Sequence, residues 1–343
     1  MRVLLIISVL ASLLGVSGFL SSPSGATLYR SEWQAFVTRF ILPEGRVADT
    51  GNKGISHSEG QGYGMVMATA FDDWATFDRL WQWTRANLQV RGDHLFAWKW
   101  EPGPAKVTDI NSASDGDILI AWSLLRASER WNEPAYRATA IAILDDIRAE
   151  LVVDTSIGKA VLPGPQGFAK DGAVVLNPSY WVFPAFRDFA RSHDAALWNA
   201  VIDSGRVLIA RARFGDPGLP ADWVELAGKD LRLPKGFEIV FGYNAIRVPL
   251  YTVWGGLEDA DSLNGPVKAW WGAHDGAPFI PATIDLATGQ PASYGLSSGG
   301  RAVTVLTRFG DRSQTMMPSL GETDDYYSAT LILLSKIAFS ERF

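Results

Sequence analysis

Apolar side chains recur at intervals of three and four residues through most of the chain, and short connections join the segments that carry this pattern. The spacing predicts helices near 29–41, 62–71, 73–89, 115–131, 134–152, 179–191, 195–212, 243–255, 260–272, 297–308 and 322–339, with a short, weakly patterned one around 311–317. Consecutive helices joined by short loops must run antiparallel, so alternate helices point the same way. If 62–71 runs up, then 115–131, 179–191 and 243–255 also run up, while 73–89, 134–152 and 195–212 run down. The stretches leading into the up helices are "SHSEGQGYG", "INSASDGD", "LNPSY" and "GFEIVFGYN", whereas the down helices follow ordinary turns such as "DD", "NEP" and "SHD". The polar, glycine-rich and aromatic lead-ins thus fall at one end of an all-α domain. Six helix pairs closed in a ring would gather them around one cleft, at the N-terminal ends of the inner helices. Strand-like pieces are few ("HLFAWKW", "KAVLPG", "FEIVF"), and no Ser/Pro/Gly-rich linker divides residues 27–343, which read as a single domain.

Composition narrows the function. The chain has 31 Lys+Arg against 37 Asp+Glu with no basic block, which argues against nucleic acid as a partner. Cysteine is absent, so disulfides and thiolate chemistry are excluded. The four histidines (His57, His94, His193 and His274) have no metal-ligand spacing, and no metal site is expected. Residues 1–26 read as a secretory signal peptide: Arg2 leads an apolar run from Val3 to Leu14, and Ser24 and Ala26 suit the cleavage positions. An uncleaved anchor needs about 20 apolar residues, and this run is shorter. The mature protein is therefore expected to be secreted or periplasmic, with no membrane segment left after cleavage.

The chain holds 14 Trp, 9 Tyr and 17 Phe, most of which must fill the core. Some sit in polar surroundings instead, among them Trp98 in "FAWKWEPG", Tyr180 in "NPSYWVF" and Tyr243 in "FGYNAIR". Aromatic faces beside hydrogen-bonding groups suit sugar rings, whose faces are apolar and whose rims carry hydroxyls. Two lead-ins also carry carboxylates close to the start of a helix. Glu59 lies among Gly60, Gly62 and Gly64 on the approach to a helix, where glycines would let a ligand come close; Asp115 and Asp117 open the next up helix. Taken singly, each is equally well a helix-start acid favoured by the macrodipole or the capping geometry. Both fall at the same end of parallel helices, and two carboxylates across a sugar-sized cleft are what glycosidic hydrolysis requires.

A specific resemblance follows. Ala113-Ser114-Asp115-Gly116-Asp117, then Ile120-Ala121, Ser123-Leu124-Leu125, Ala127 and Trp131 at the required intervals, resembles the complete signature of glycoside hydrolase family 8. "SEGQGYGM" is similar to the family's general-acid segment, "NPSY" to its substrate-site tyrosine segment, "YNAIRVP" to its Tyr-Asp-Ala-x-Arg segment, and "YYSATLILL" to its C-terminal helix. The likeness is greatest to family 8 endoglucanases encoded alongside bacterial cellulose synthases. It implies an (α/α)6 barrel of six inner and six outer helices, an inverting mechanism, no cofactor, a β-1,4-glucan substrate, and the cellulose synthase machinery as a partner. On matching positions it implies that Glu59 is the general acid. Asp115 would be the carboxylate that holds and distorts the sugar at the cleavage point. Tyr180, Tyr243 and Arg247 would position ring and water, and Trp98 would be a stacking platform. His57 and His94 read as loop hydrogen-bonding residues.

One departure matters. Asn244 stands where many members carry the base aspartate, and a neutral amide cannot accept a proton from water. The base could then lie elsewhere, with Asp115, Glu225, Asp230 and Glu238 as candidates; the chain could be a glucan-binding accessory protein of weak activity; or Asn244 could be an introduced substitution. The leading reading is an endo-1,4-β-glucanase. A chitosanase or xylanase of the same family is the alternative within the enzyme class.

Overall fold

The computed structural model describes residues 29–343, so the 1–26 leader lies outside the described residues. Twelve α-helices occur among them: α1 (Arg30–Phe40), α2 (Ser58–Ala70), α3 (Trp74–Asn87), α4 (Ser114–Trp131), α5 (Pro134–Glu150), α6 (Phe183–Ser192), α7 (Ala195–Arg211), α8 (Arg247–Trp254), α9 (Ala260–Leu263), α10 (Gly265–Gly272), α11 (Ser298–Phe309) and α12 (Tyr326–Arg342). Helices α2, α4, α6, α8, α11 and α12 each pack on the next, and α12 returns to α2, closing an inner ring. Of these, α2, α8 and α12 are buried on nearly every side, because they face both the barrel interior and an outer layer, whereas α6 and α11 keep a polar face. Around them α3 lies on α2, α5 on α4, α7 on α6, α9 on α8 and α1 on α12. The fold is an (α/α)6 barrel. Among the described residues no helix is long and apolar enough to cross a membrane.

The observed helices depart from the predicted ones where local chemistry intervenes. The segment around 311–317 is not an α-helix but two 3-10 turns, Gly310–Arg312 and Gln314–Met316, on the outside of α11. Gly310 at φ +53° ends α11, and Pro318 follows too soon for a new helix to develop. The 260–272 helix breaks at Asn264, whose side chain pairs with Thr252 Oγ1 at 2.8 Å, and Pro266 then starts α10. Likewise 179–191 splits into a 3-10 turn, Pro178–Tyr180, and α6, since Pro184 has no N–H with which to continue the first turn. α2 begins at Ser58, four residues before the predicted start. α8 begins at Arg247, four residues after its own.

Short antiparallel ladders decorate the end of the barrel where the inner helices start. Strand β1 (Ser56–His57) pairs with β2 (Lys99–Trp100), β3 (Val152–Thr155) with β4 (Gly158–Val161), and β9 (Val240–Phe241) with β10 (Ile284–Asp285). A four-stranded sheet of β5 (Ala169–Lys170), β6 (Ala173–Leu176), β7 (Val224–Ala227) and β8 (Asp230–Arg232) is not among the elements expected from the sequence. Its strands are two to four residues long, too short for a period-two pattern to stand out.

Candidate active site

Glu59 occupies the first turn of α2 and not a flexible approach to it. His57 caps that helix: its Nδ1 accepts from the Gly60 N–H at 3.0 Å, which leaves Nε2 as the protonated nitrogen, 3.4 Å from Asp49 Oδ2. The nearby glycines serve helix packing, correcting the expectation that they admit ligand. A Cβ on Gly62 would lie 2.6 Å from Leu119 Cβ, and one on Gly116 would lie 2.6 Å from Ser58 Cβ and 2.8 Å from the Glu59 nitrogen. Side chains at these positions would push α2 and α4 apart. Without them the starts of the two helices nearly touch, and Glu59 and Asp115 come together.

Arg247, the first residue of α8 and 3% exposed, joins them. Its Nη1 donates to Glu59 Oε1, lies 3.6 Å from Asp115 Oδ2, and donates to the Tyr63 hydroxyl at 2.8 Å. Its Nη2 donates to Asn244 Oδ1 at 2.7 Å. Tyr63, one helical turn after Glu59, reaches Glu59 Oε1 at 3.3 Å and the Tyr251 hydroxyl at 3.0 Å. Asp115 is buried, accepts from the Gly116 N–H at 2.8 Å and has the Tyr180 hydroxyl against its carboxylate. Burial pushes its carboxyl up to about 7, against the opposing pull of that N–H, His57 and Tyr180. Asp117, two residues on, faces the other way and accepts from the Phe96 N–H at 2.9 Å; burial pushes it up to about 8.

His57, Ser58, Glu59, Trp98, Ala113, Asp115, Tyr180 and Asn244 line one cavity of about 170 Å³. Trp98 enters it because the Ser58 N–H donates to the Trp98 carbonyl at 3.0 Å, and its indole N–H is held by Asp109 Oδ2 at 2.8 Å. Tyr243 does not line this cavity. It stands 54% exposed at the start of the turn before α8, its hydroxyl 3.4 Å from that of Tyr294. Of the four carboxylates considered as the base, only Asp115 is here: Glu225 is paired with Arg232, Asp230 and Glu238 are exposed, and none of the three lines the cavity. His94 is likewise remote, bonded to Asp146 at 2.8 Å. A larger cavity of about 520 Å³ opens at the opposite end of the barrel, but its arginines are already matched, Arg126 by Glu341, Arg130 by Asp72 and Arg191 by Asp188.

Three residues of this constellation are not marked by the sequence alone. Tyr63 and Tyr251 sit four residues after Glu59 and Arg247, a helical spacing that points to them once the true helix starts are known. Asp222 reaches the Asn244 turn from a loop 22 residues earlier, and no local pattern marks it.

The sequence and the fold that hold this acid pair match known proteins closely. The sequence pattern of the glycosyl hydrolases family 8 covers residues 8–340. The chain belongs to this family. Within it, a probable endoglucanase of Novacetimonas hansenii is 38% identical over 334 residues, 96% of each chain. The solved endo-β-1,4-glucanase of Acetobacter xylinum superposes with a TM-score of 0.86 at 37% identity, over 94% of this chain and 99% of that one. The endoglucanase of Klebsiella pneumoniae, also a family 8 enzyme, gives a TM-score of 0.85 at 36% identity, over 91% and 100%. As a family 8 member the protein is a glycoside hydrolase.

Proposed function

We propose that the protein is an endo-1,4-β-glucanase that cuts cellulose chains, exported by its N-terminal leader and serving bacterial cellulose synthesis or turnover. The observation that carries this reading is the Glu59–Arg247–Asp115 cluster beside Trp98 and Tyr180 in one cavity; the endoglucanases it resembles supply the substrate class. In this reading Trp98 stacks on a sugar ring, Tyr180 and Asp115 hold its hydroxyls, and Tyr243 guides the chain at the rim. Glu59 gives its proton to the glycosidic oxygen as the C–O bond breaks, a water oxygen bonds to the anomeric carbon in its place, and the proton that this water loses passes to solvent, from which Glu59 is reprotonated.

The spacing supports a role for Asp115 on the sugar and not on the water. Its nearest oxygen and that of Glu59 both reach the same guanidinium nitrogen. They therefore stand closer than the about 6.5–9.5 Å that an inverting acid–base pair leaves for water. Asn244 lines the cavity at the position where many family members carry the base, and its amide can orient the attacking water without taking its proton. That one observation favours a second reading, a glucan-binding accessory protein of low turnover.

Product analysis with mature protein on carboxymethylcellulose, xylan and chitosan separates the alternatives. Rapid viscosity loss on carboxymethylcellulose supports the glucanase, and preferential cleavage of chitosan or xylan replaces it. Binding of cello-oligosaccharides without products supports the accessory role.

A further inference from the structure

Asp222 is 4% exposed, outside the cavity, and none of the roles above uses it. Its carboxylate lies beneath the turn that leads into α8. Oδ1 accepts from the Gly242 N–H at 2.9 Å and the Ala245 N–H at 2.8 Å, while Oδ2 accepts from the Asn244 N–H at 3.2 Å and faces Asn244 Nδ2 at 3.4 Å. Three backbone donors converging on one buried carboxylate make a fixed knot in a segment that is neither helix nor strand. The side chain of Asn244 is held from both ends. Its NH2 faces a carboxylate and its carbonyl accepts from Arg247 at 2.7 Å, so only one orientation of the amide satisfies both neighbours. The chain of contacts runs Asp222, Asn244, Arg247, Glu59.

We propose that Asp222 is a positioning residue of this active site, fixing the Gly242–Ala245 turn and the orientation of the Asn244 amide, and through them the Arg247 guanidinium on Glu59. This rests on the glucanase reading, in which Glu59 faces the glycosidic oxygen and Asn244 the attacking water. An amide at 244 fits this surrounding, whereas a carboxylate there would bring an oxygen up against Asp222 Oδ2.

The test is a cycle of Asp222→Asn, Asn244→Ala and the double variant, assayed on cello-oligosaccharides. Asp222→Asn keeps the shape but turns an N–H2 toward the N–H groups it should accept. It is expected to lower kcat roughly tenfold or more, as misplacement within an active site does, with KM within about threefold and a cooperative melt retained. The losses of the two single variants should not add, since both act on the same amide. A kcat equal to that of the parent, or strictly additive losses, overturns the proposal. Should Asp222→Asn fail to fold, hydrogen exchange on the unaltered protein still decides: the Gly242, Asn244 and Ala245 amides should exchange slowly for a segment outside helix and strand, and fast exchange at these three overturns it. A parent protein that cleaves no β-1,4-glucan removes the function reading instead and leaves the exchange result standing.

Discussion

Gly116→Ala should separate packing from chemistry in this site. The added methyl would sit 2.6 Å from Ser58 Cβ and 2.8 Å from the Glu59 nitrogen, where ordinary contact needs about 3.5–4.0 Å. The start of α2 must therefore retreat from α4 by about 1 Å. Alanine gains about 1 kcal/mol over glycine inside a helix, and overpacking costs about 1–3 kcal/mol, so net destabilisation should reach no more than about 2 kcal/mol. Activity should suffer far more, because a shift of about 1 Å in a catalytic group can cost about 100-fold. Thermal melting and kcat on cello-oligosaccharides measure the two effects. Gly64→Ala is the control: its nearest neighbours are side-chain carbons of Leu80 and Val47 at 3.2 Å, which can yield. A Gly116→Ala protein with near-parent kcat would refute the idea that glycine sets the distance between the carboxylates.

Two further outcomes follow from the same geometry. Burial raises Asp117 from 3.8 to about 8, so the folded protein binds its proton more tightly than the unfolded chain does; this stabilisation is complete below pH 4 and is lost as pH rises toward 8. Denaturant titrations at pH 5 and pH 7 should show the parent losing about 2 kcal/mol more than Asp117→Asn across that interval, at up to about 1.4 kcal/mol per unit; parallel losses would count against a protonated Asp117. Proton NMR of the first products should show the α-anomer if water attacks from the Asn244 side, whereas β-anomer would make Asp115 a nucleophile, as its closeness to Glu59 would then allow.

The barrel is legible in the sequence because its signal is repeated. Alternating helices with short connections, and polar lead-ins on every second one, survive errors of several residues at any single boundary. The signature from Ala113 to Trp131 is legible because it lies almost wholly within one continuous helix, α4. Glu59 reads as a loop residue for a physical reason: Gly60, Gly62 and Gly64 depress helix propensity, and only the contact of α2 with α4 and its other neighbours offsets that cost. The breaks at Pro184 and Asn264–Pro266 follow from proline chemistry, but the apolar period runs straight through them and hides them. Asp222 is beyond the reach of any local pattern, since its meaning lies in backbone N–H groups 20 to 23 residues away.

Glu59 as the proton donor is the claim on which the proposed chemistry depends most. Glu59→Gln keeps the side chain's shape and removes the transferable proton, so viscosity loss of carboxymethylcellulose by the purified mature protein should slow roughly 100-fold or more, while cello-oligosaccharide binding, followed by tryptophan fluorescence, is retained. Viscosity loss at close to the parent rate would leave Glu59 a helix-start carboxylate paired with Arg247 and nothing more.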